Sequence, residues 1–150
     1  MGFFDGYNVA TSGMSAQRTR INVVSANIAN AQTTHSTDGG PYKKQNVIFE
    51  EVLLDANKKQ SDGNNDSKID QLSHRGVGVK EILDSKDEPV LKYEPEHPDA
   101  NEKGYVAYPN INPVIEMVNL IEAMRSYEAN VSSFKTQKEM DTKTLEIIKM

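Results

Sequence analysis

The chain has 150 residues, of which 37% are hydrophobic, with no cysteine, no tryptophan and a net charge of −5. The lack of cysteine excludes a disulfide framework, a thiolate metal site and a cysteine nucleophile, and the mild acidic balance excludes the basic surface typical of nucleic-acid binding. The chain has no continuous apolar run of about 18 residues, so we predict no membrane insertion. Residues 1–7 lack a positively charged leader and a continuous apolar run, so we predict no cleavable secretory signal.

Residues 5–32 are predicted to form a first helix, because side chains recur at the seven-residue spacing typical of helices that pack along their length. One series contains Tyr7, Met14, Ile21 and Ile28, and a second, three positions later, contains Ala10, Gln17, Val24 and Ala31. Residues 21–34 carry no charge, and amides such as Asn27 and Asn30 stand where a surface helix normally carries lysine and glutamate. We therefore expect protein on more than one side of this helix.

The middle segment, residues 35–110, is predicted to contain short strands and long loops. Strand composition occurs in four runs: residues 42–54, 76–83, 89–93 and 105–107. We expect the first three runs to form a small antiparallel sheet or hairpin. Residues 55–75 are rich in Asp, Asn, Ser and Lys and are predicted to be a flexible loop.

The last segment, residues 111–150, is predicted to form a second helix from Pro113 nearly to Met150. Asn112 is expected to cap it, proline suits the first helical position, and Glu116 complements the positive end of the helix dipole. Its two seven-residue series contain Met117, Met124, Val131 and Leu145 and, three positions later, Leu120, Tyr127, Phe134 and Ile148.

Energy favours assembly of these helices with further copies. Burying a large apolar side chain contributes roughly 1.5–3 kcal/mol, and a lone helix pair would leave the uncharged polar face of the first helix in water. Neighbouring copies would bury more of this surface. We predict an assembly interface that contains Tyr7, Met14, Ile21, Val24, Asn27, Ile28, Asn30, Met117, Leu120, Met124, Tyr127, Val131, Phe134, Leu145 and Ile148.

The sequence gives little support for a chemical site. Residues 62–73 are loosely similar to a calcium-binding loop, with acidic or amide residues at three ligand offsets, but the turn glycine is missing at residue 67 and Ser73 replaces the bidentate glutamate. The three histidines lie far apart in the sequence. We predict no catalytic residue, no cofactor and no metal site, and keep a small calcium-regulated binding module as an alternative hypothesis.

Several motifs of the chain resemble the bacterial flagellar rod and hook axial proteins. Residues 25–34 (SANIANAQTT), preceded by residues 13–18 (GMSAQR), resemble the amino-terminal signature of that family, and residues 124–130 (MRSYEAN) resemble its closing-helix signature. The short length and three further pieces resemble the proximal rod type of this family. These pieces are residues 38–42, 76–79 and 97–101 with 104–106. The similarity spans nearly the whole chain.

This resemblance implies a mainly α fold with a small β region, in which residues 1–34 and 111–150 pair as an elongated coiled coil that lines an inner tube. It implies a structural axial subunit, not an enzyme, that assembles helically, transmits torque and encloses the export channel. The implied partners are its own copies, other flagellar rod proteins and the export-gate or basal-body adaptor. The implied location is the rod that spans the periplasm, reached through the flagellar type III apparatus without cleavage. A soluble helical secretion chaperone or adaptor is the alternative.

Overall fold

The structure, a computed structural model, describes residues 5–37, 39–54 and 75–149. Two helices, α1 (Asp5–Ala29) and α2 (Pro113–Ile148), lie antiparallel and pack on each other along the length of α1. Two small antiparallel sheets lie between them in the sequence. The predicted fold class, mainly α with paired terminal helices and a small β part, is therefore confirmed.

The middle segment forms two separate two-stranded sheets. The strands are β1 (Gln45–Leu53), β2 (Arg75–Asp84), β3 (Val90–Tyr93) and β4 (Tyr105–Tyr108). β1 pairs with β2, with a register shift between Ile48 and Phe49 that marks a β-bulge, and β3 pairs with β4. The expectation of one sheet from the first three runs is wrong, because β3 takes β4 as its partner. Gly104, with φ of 79°, lies in the turn that leads into β4.

The ends of the helices follow local chemistry. Asn112 caps α2 as predicted, since its side-chain oxygen accepts a hydrogen bond from the backbone N–H of Val114 at 3.0 Å. α1 ends at Ala29, three residues before the expected end at residue 32. Beyond it the chain turns, and the Asn30 side chain donates a hydrogen bond to the carbonyl of Ala26 at 2.9 Å.

The main core lies where α1 meets α2 on one side and the β1–β2 sheet on another. The buried apolar side chains of the two helices are small, and they are Ala10, Ala16, Val23, Val24 and Ala123. Small side chains allow the helix axes to approach closely. The backbone of the β1–β2 sheet lies close to α1, whereas within the described residues the backbone of the β3–β4 sheet lies close to neither helix.

Neither helix in the described ranges combines the length and the hydrophobicity that crossing a lipid bilayer requires. Residues 55–74 of the predicted flexible loop, with the calcium-like residues 62–73, lie outside the described residues. Residue 75, the last of that predicted loop, begins β2.

Candidate assembly interface

The contact between α1 and α2, here called the seam, repeats every seven residues. A Cβ atom added at Gly13 would lie 2.9 Å from Asn130 Nδ2, and one added at Gly6 would lie 3.2 Å from Gln137 Oε1. Seven-residue spacing keeps such contacts on one face of each helix. The seam therefore places residues without a side chain on α1 against amide side chains on α2.

Tyr7 closes the seam near the start of α1. Its ring packs edge to face on Phe134, with centroids 4.9 Å apart, and its hydroxyl donates a hydrogen bond to Asp141 Oδ2 at 2.6 Å. Because the carboxylate accepts this hydrogen bond and disfavours the tyrosinate, the pKa of Tyr7 is raised to about 12. Two of the predicted interface residues, Tyr7 and Phe134, thus contact each other within one chain.

The side of α2 that faces α1 differs from the predicted series by one residue. Two series at seven-residue spacing face α1, and they contain Glu116, Ala123, Asn130 and Gln137 and also Leu120, Tyr127, Phe134 and Asp141. The predicted Leu120, Tyr127 and Phe134 are half-buried on this side. Met117 and Met124 are instead 52% and 46% exposed. Apolar spacing alone does not reveal the series that begins at residue 116, because its members are polar or small.

The predicted residues of α1 occupy two environments. Val24 and Asn27 are buried, whereas the others are half-buried. The half-buried residues are Tyr7, Met14, Ile21, Ile28 and Asn30. Three of them, Met14, Ile21 and Ile28, share one flank of α1 because they are spaced seven apart.

That flank of α1 faces away from the β1–β2 sheet. The sheet covers the flank that carries the buried Ala16 and Val23, and the hydroxyl of Ser12 accepts a hydrogen bond from the β2 backbone there. At about 100° per residue, Met14 and Ile21 lie more than a third of a turn away from these positions. No sheet covers them among the described residues.

The apolar flank of α2, which carries Met117 and Met124, lies on the same side of the helix pair as Met14 and Ile21 of α1. Asn119 lines a cleft together with Val23 and Phe49, so the flank of α2 that carries Asn119 faces the β1–β2 sheet. Met117 and Met124 lie on the opposite flank by helical periodicity. We call the joint surface the sheet-free face, and it contains Met14, Ile21, Ile28, Met117, Met124 and Val131.

On α2 the sheet-free face is apolar over the first three turns and charged beyond Met124. Val114, Val118 and Ile121 extend it over the first three turns, and all three are exposed. Beyond Met124 the same side of α2 carries charged residues such as Glu128. At the other end, the predicted Leu145 and Ile148 are exposed beyond the start of α1.

Asn27 lies in the interior of the chain. It contacts Glu116, which forms an ion pair with Lys44. From the sequence we predicted only that Glu116 complements the helix dipole. Its ion pair with Lys44 was not predicted, because nothing in the spacing links residue 44 to residue 116. In the part of the chain that the structure describes, no group of three or more acidic, histidine or cysteine side chains is arranged to hold a metal ion.

Two family models match the two helical ends of the chain. A model described as flagella basal body rod protein matches residues 8–34. A model described as flagellar basal body rod FlgEFG protein C-terminal matches residues 102–147. These ranges contain nearly all of α1 and α2, together with β4.

Curated relatives match the chain over almost its full length. The flagellar basal-body rod protein FlgC of Borreliella burgdorferi is 41% identical, and the match covers 99% of each chain. FlgC of Aquifex aeolicus is 39% identical over 97% of each chain, and FlgC of Bacillus subtilis is 39% identical over 96% of this chain and 97% of its own.

Proposed function

Because this chain belongs to the FlgC family of flagellar basal-body rod proteins, we propose that it assembles helically through its two terminal helices, encloses the export channel and transmits torque. It is a structural subunit of the basal-body rod, not an enzyme, and it assembles with other flagellar basal-body components. The alternative of a secretion chaperone is not favoured, since rod-family models match both terminal helices.

The sheet-free face is the observation that supports assembly through the helices. Soluble monomers rarely expose large contiguous apolar patches, and such patches usually mark interaction sites. Here Met117, Ile121 and Met124 are each about half exposed and lie side by side on α2. Copies that cover them would gain roughly half of the 1.5–3 kcal/mol that full burial of a large side chain contributes, because about half of each is already covered.

The proposal assigns a role to each part of the chain. Residues 1–34 and 111–150 form the inner helical layer, and residues 35–110 lie outward, towards adjacent subunits. Most of the predicted interface residues lie either in the seam, which holds the chain together, or on the sheet-free face, which meets neighbours. Leu145 and Ile148 lie beyond the seam, at the end of α2. The neighbours are copies of this chain, other rod proteins and the export-gate or basal-body adaptor. The subunit reaches a rod that spans the periplasm through the flagellar type III apparatus, without cleavage.

A matched pair of methionine variants tests the proposed interface. Met117 and Met140 are both 52% exposed on α2, but only Met117 belongs to the sheet-free face. In cells that lack their own copy of the gene, we expect Met117→Glu to lower incorporation into purified basal bodies at least about tenfold, because it places an unpaired charge in a covered apolar contact. Motility should fall with it.

The control variant, Met140→Glu, adds the same charge at the same exposure and should incorporate normally. Circular dichroism of both purified variants should match the unmodified chain, since neither methionine is buried within it. Normal incorporation and motility with Met117→Glu would count against the sheet-free face as the assembly surface.

A further inference from the structure

Two polar side chains are almost fully buried in the described residues, and they contact each other. Asn27 in α1 and Glu116 in α2 are each 1% exposed, and Asn27 Nδ2 donates a hydrogen bond to Glu116 Oε2 at 3.2 Å. Around them the buried side chains of the helices are alanine and valine. Polar groups are costly to bury unless their hydrogen bonds are satisfied, so the partners of this pair decide what it does.

Asn27 ties α1 to the first residue of β1. Its Nδ2 atom donates a hydrogen bond to the Gln45 carbonyl at 2.8 Å, and its Oδ1 atom accepts one from the Gln45 backbone N–H at 2.9 Å. The amide thus pairs with both backbone groups of Gln45, as a neighbouring strand would. The Tyr42 hydroxyl also donates to Oδ1, at 3.1 Å, so both polar atoms of the amide have partners.

Glu116 ties α2 to the same place. Lys44 Nζ lies 2.9 Å from Glu116 Oε1, and the Asn119 side chain donates to the same oxygen at 3.3 Å. This contact ties α2 to the segment that leads into β1. Three parts of the chain, α1, α2 and residues 42–45, therefore meet at one polar cluster.

The glycine layers of the seam discriminate poorly between registers. Two further layers, Gly6 against Gln137 and Gly13 against Asn130, repeat the same pairing of glycine with an amide seven residues apart. A shift of α2 by seven residues would replace one such layer by a similar one. The same shift would separate Glu116 from Asn27 and from Lys44, which leaves buried polar groups without partners.

We propose that Asn27 and Glu116 are positioning residues of the subunit, which fix the register of α1 against α2 and hold the β1–β2 sheet to that register. They contribute specificity, because a single buried polar residue can select one register of a helix pair even at a cost in stability. This inference concerns the fold of one subunit and does not depend on which surfaces meet in the rod.

The register of the two helices can be measured separately from their stability, as the distance between two spin labels. Cysteines introduced at the exposed positions Ser25 and Arg125 are unique in this chain, which has none of its own. Because Asn27 lies opposite Glu116, these positions are offset by about seven residues, or about 10 Å, along the helix axes. A slip of seven residues would close or double that offset.

We expect one distance from double electron–electron resonance in the unmodified chain. In the double variant Asn27→Leu with Glu116→Leu, we expect a second population with an axial displacement of about 10 Å, and a lower thermal midpoint because Lys44 and the Gln45 backbone lose their partners. The control Asn130→Leu makes a similar amide-to-leucine change in another seam layer and should keep one distance.

A single unchanged distance in the double variant would overturn the proposal, and so would several distances in the unmodified chain. Loss of the folded state would overturn it as well, because the cluster would then be required for folding, not for register. Glu116→Gln keeps the shape of the side chain and removes its charge, so the same distance measurement on this variant tests the role of the ion pair. We expect it to show the displaced population too, and a single distance there would contradict the role of the ion pair.

Discussion

At Gly13 the backbone of α1 leaves no space for a side chain facing α2. A Cβ atom there would lie 2.9 Å from Nδ2 and 3.1 Å from Cγ of Asn130, closer than carbon atoms normally approach such groups. Alanine is otherwise favoured over glycine in helices by about 0.8–1 kcal/mol. Two effects of opposite sign therefore meet at this residue, and the neighbouring amide decides which of them is larger.

We predict that the effect of Gly13→Ala on the thermal midpoint changes sign when Asn130 is replaced by alanine. In the unmodified chain, we expect Gly13→Ala to lower the thermal midpoint measured by circular dichroism, because the Asn130 amide must move. In a chain that already carries Asn130→Ala, the same change should raise the midpoint, since helix propensity alone remains. The two backgrounds form a double-mutant cycle. Effects of the same sign in both would show that the close approach does not limit this position.

The helices show which features of an element a sequence can and cannot predict. The cap at Asn112, the proline at the first helical position and the approximate helix ends were correct because they depend on neighbours in sequence. The series of α2 that faces α1 was partly wrong. Apolar periodicity identified Met117 and Met124, but close approach to glycines selects small and amide side chains for the seam, and the methionines remain outside it.

For the strands, too, the sequence predicts local features and not contacts between distant residues. Each strand was recognised from its composition, and each lies within a few residues of its expected bounds. Pairing was not recognised, because which strand meets which depends on turns and on packing against α1. The ion pair between the buried Glu116 and the half-buried Lys44 was missed for a similar reason, since residues 72 positions apart in sequence share no local pattern.

At the carboxy-terminal end of α2, we predict that a neighbouring subunit covers Ile148. Ile148 continues the side of α2 that carries Leu120, Tyr127 and Phe134, but α1 does not extend far enough to cover it. We expect Ile148→Glu to leave the unfolding temperature of the isolated chain unchanged, because Ile148 is 73% exposed among the described residues. Incorporation into basal bodies should fall about tenfold or more, because a neighbour that covers this side would bury a charge.

Ile147 provides the control for this variant. It is 74% exposed, against 73% for Ile148, and it points about 100° away around the helix. Ile147→Glu should therefore incorporate better than Ile148→Glu by a clear margin. Equal losses for the two variants would show that the end of α2 is enclosed on all sides, and not on one side only.

At the scale of the whole molecule, the described strands cover only one surface of the helix pair. The β1–β2 sheet packs on one flank of α1, whereas the sheet-free face has no described element over it. Periodicity in a single sequence reports that a side chain prefers to be covered, but not whether its own chain or a neighbour covers it. For that reason the predicted interface mixed seam residues such as Phe134 with surface residues such as Met117.

The chemistry of the sheet-free face sets how association should respond to salt. Its members are apolar, and each copy carries a net charge of −5, so charge opposes contact between copies and burial favours it. Raising sodium chloride from about 0.05 to 0.5 M screens the repulsion, and sodium sulfate in addition strengthens apolar burial. We expect self-association in sedimentation velocity to be maintained or strengthened by chloride and strengthened further by sulfate, and to be weakened at all salt concentrations by Met117→Glu. Association that weakens as chloride rises would indicate that ion pairs, and not this apolar face, hold the copies together.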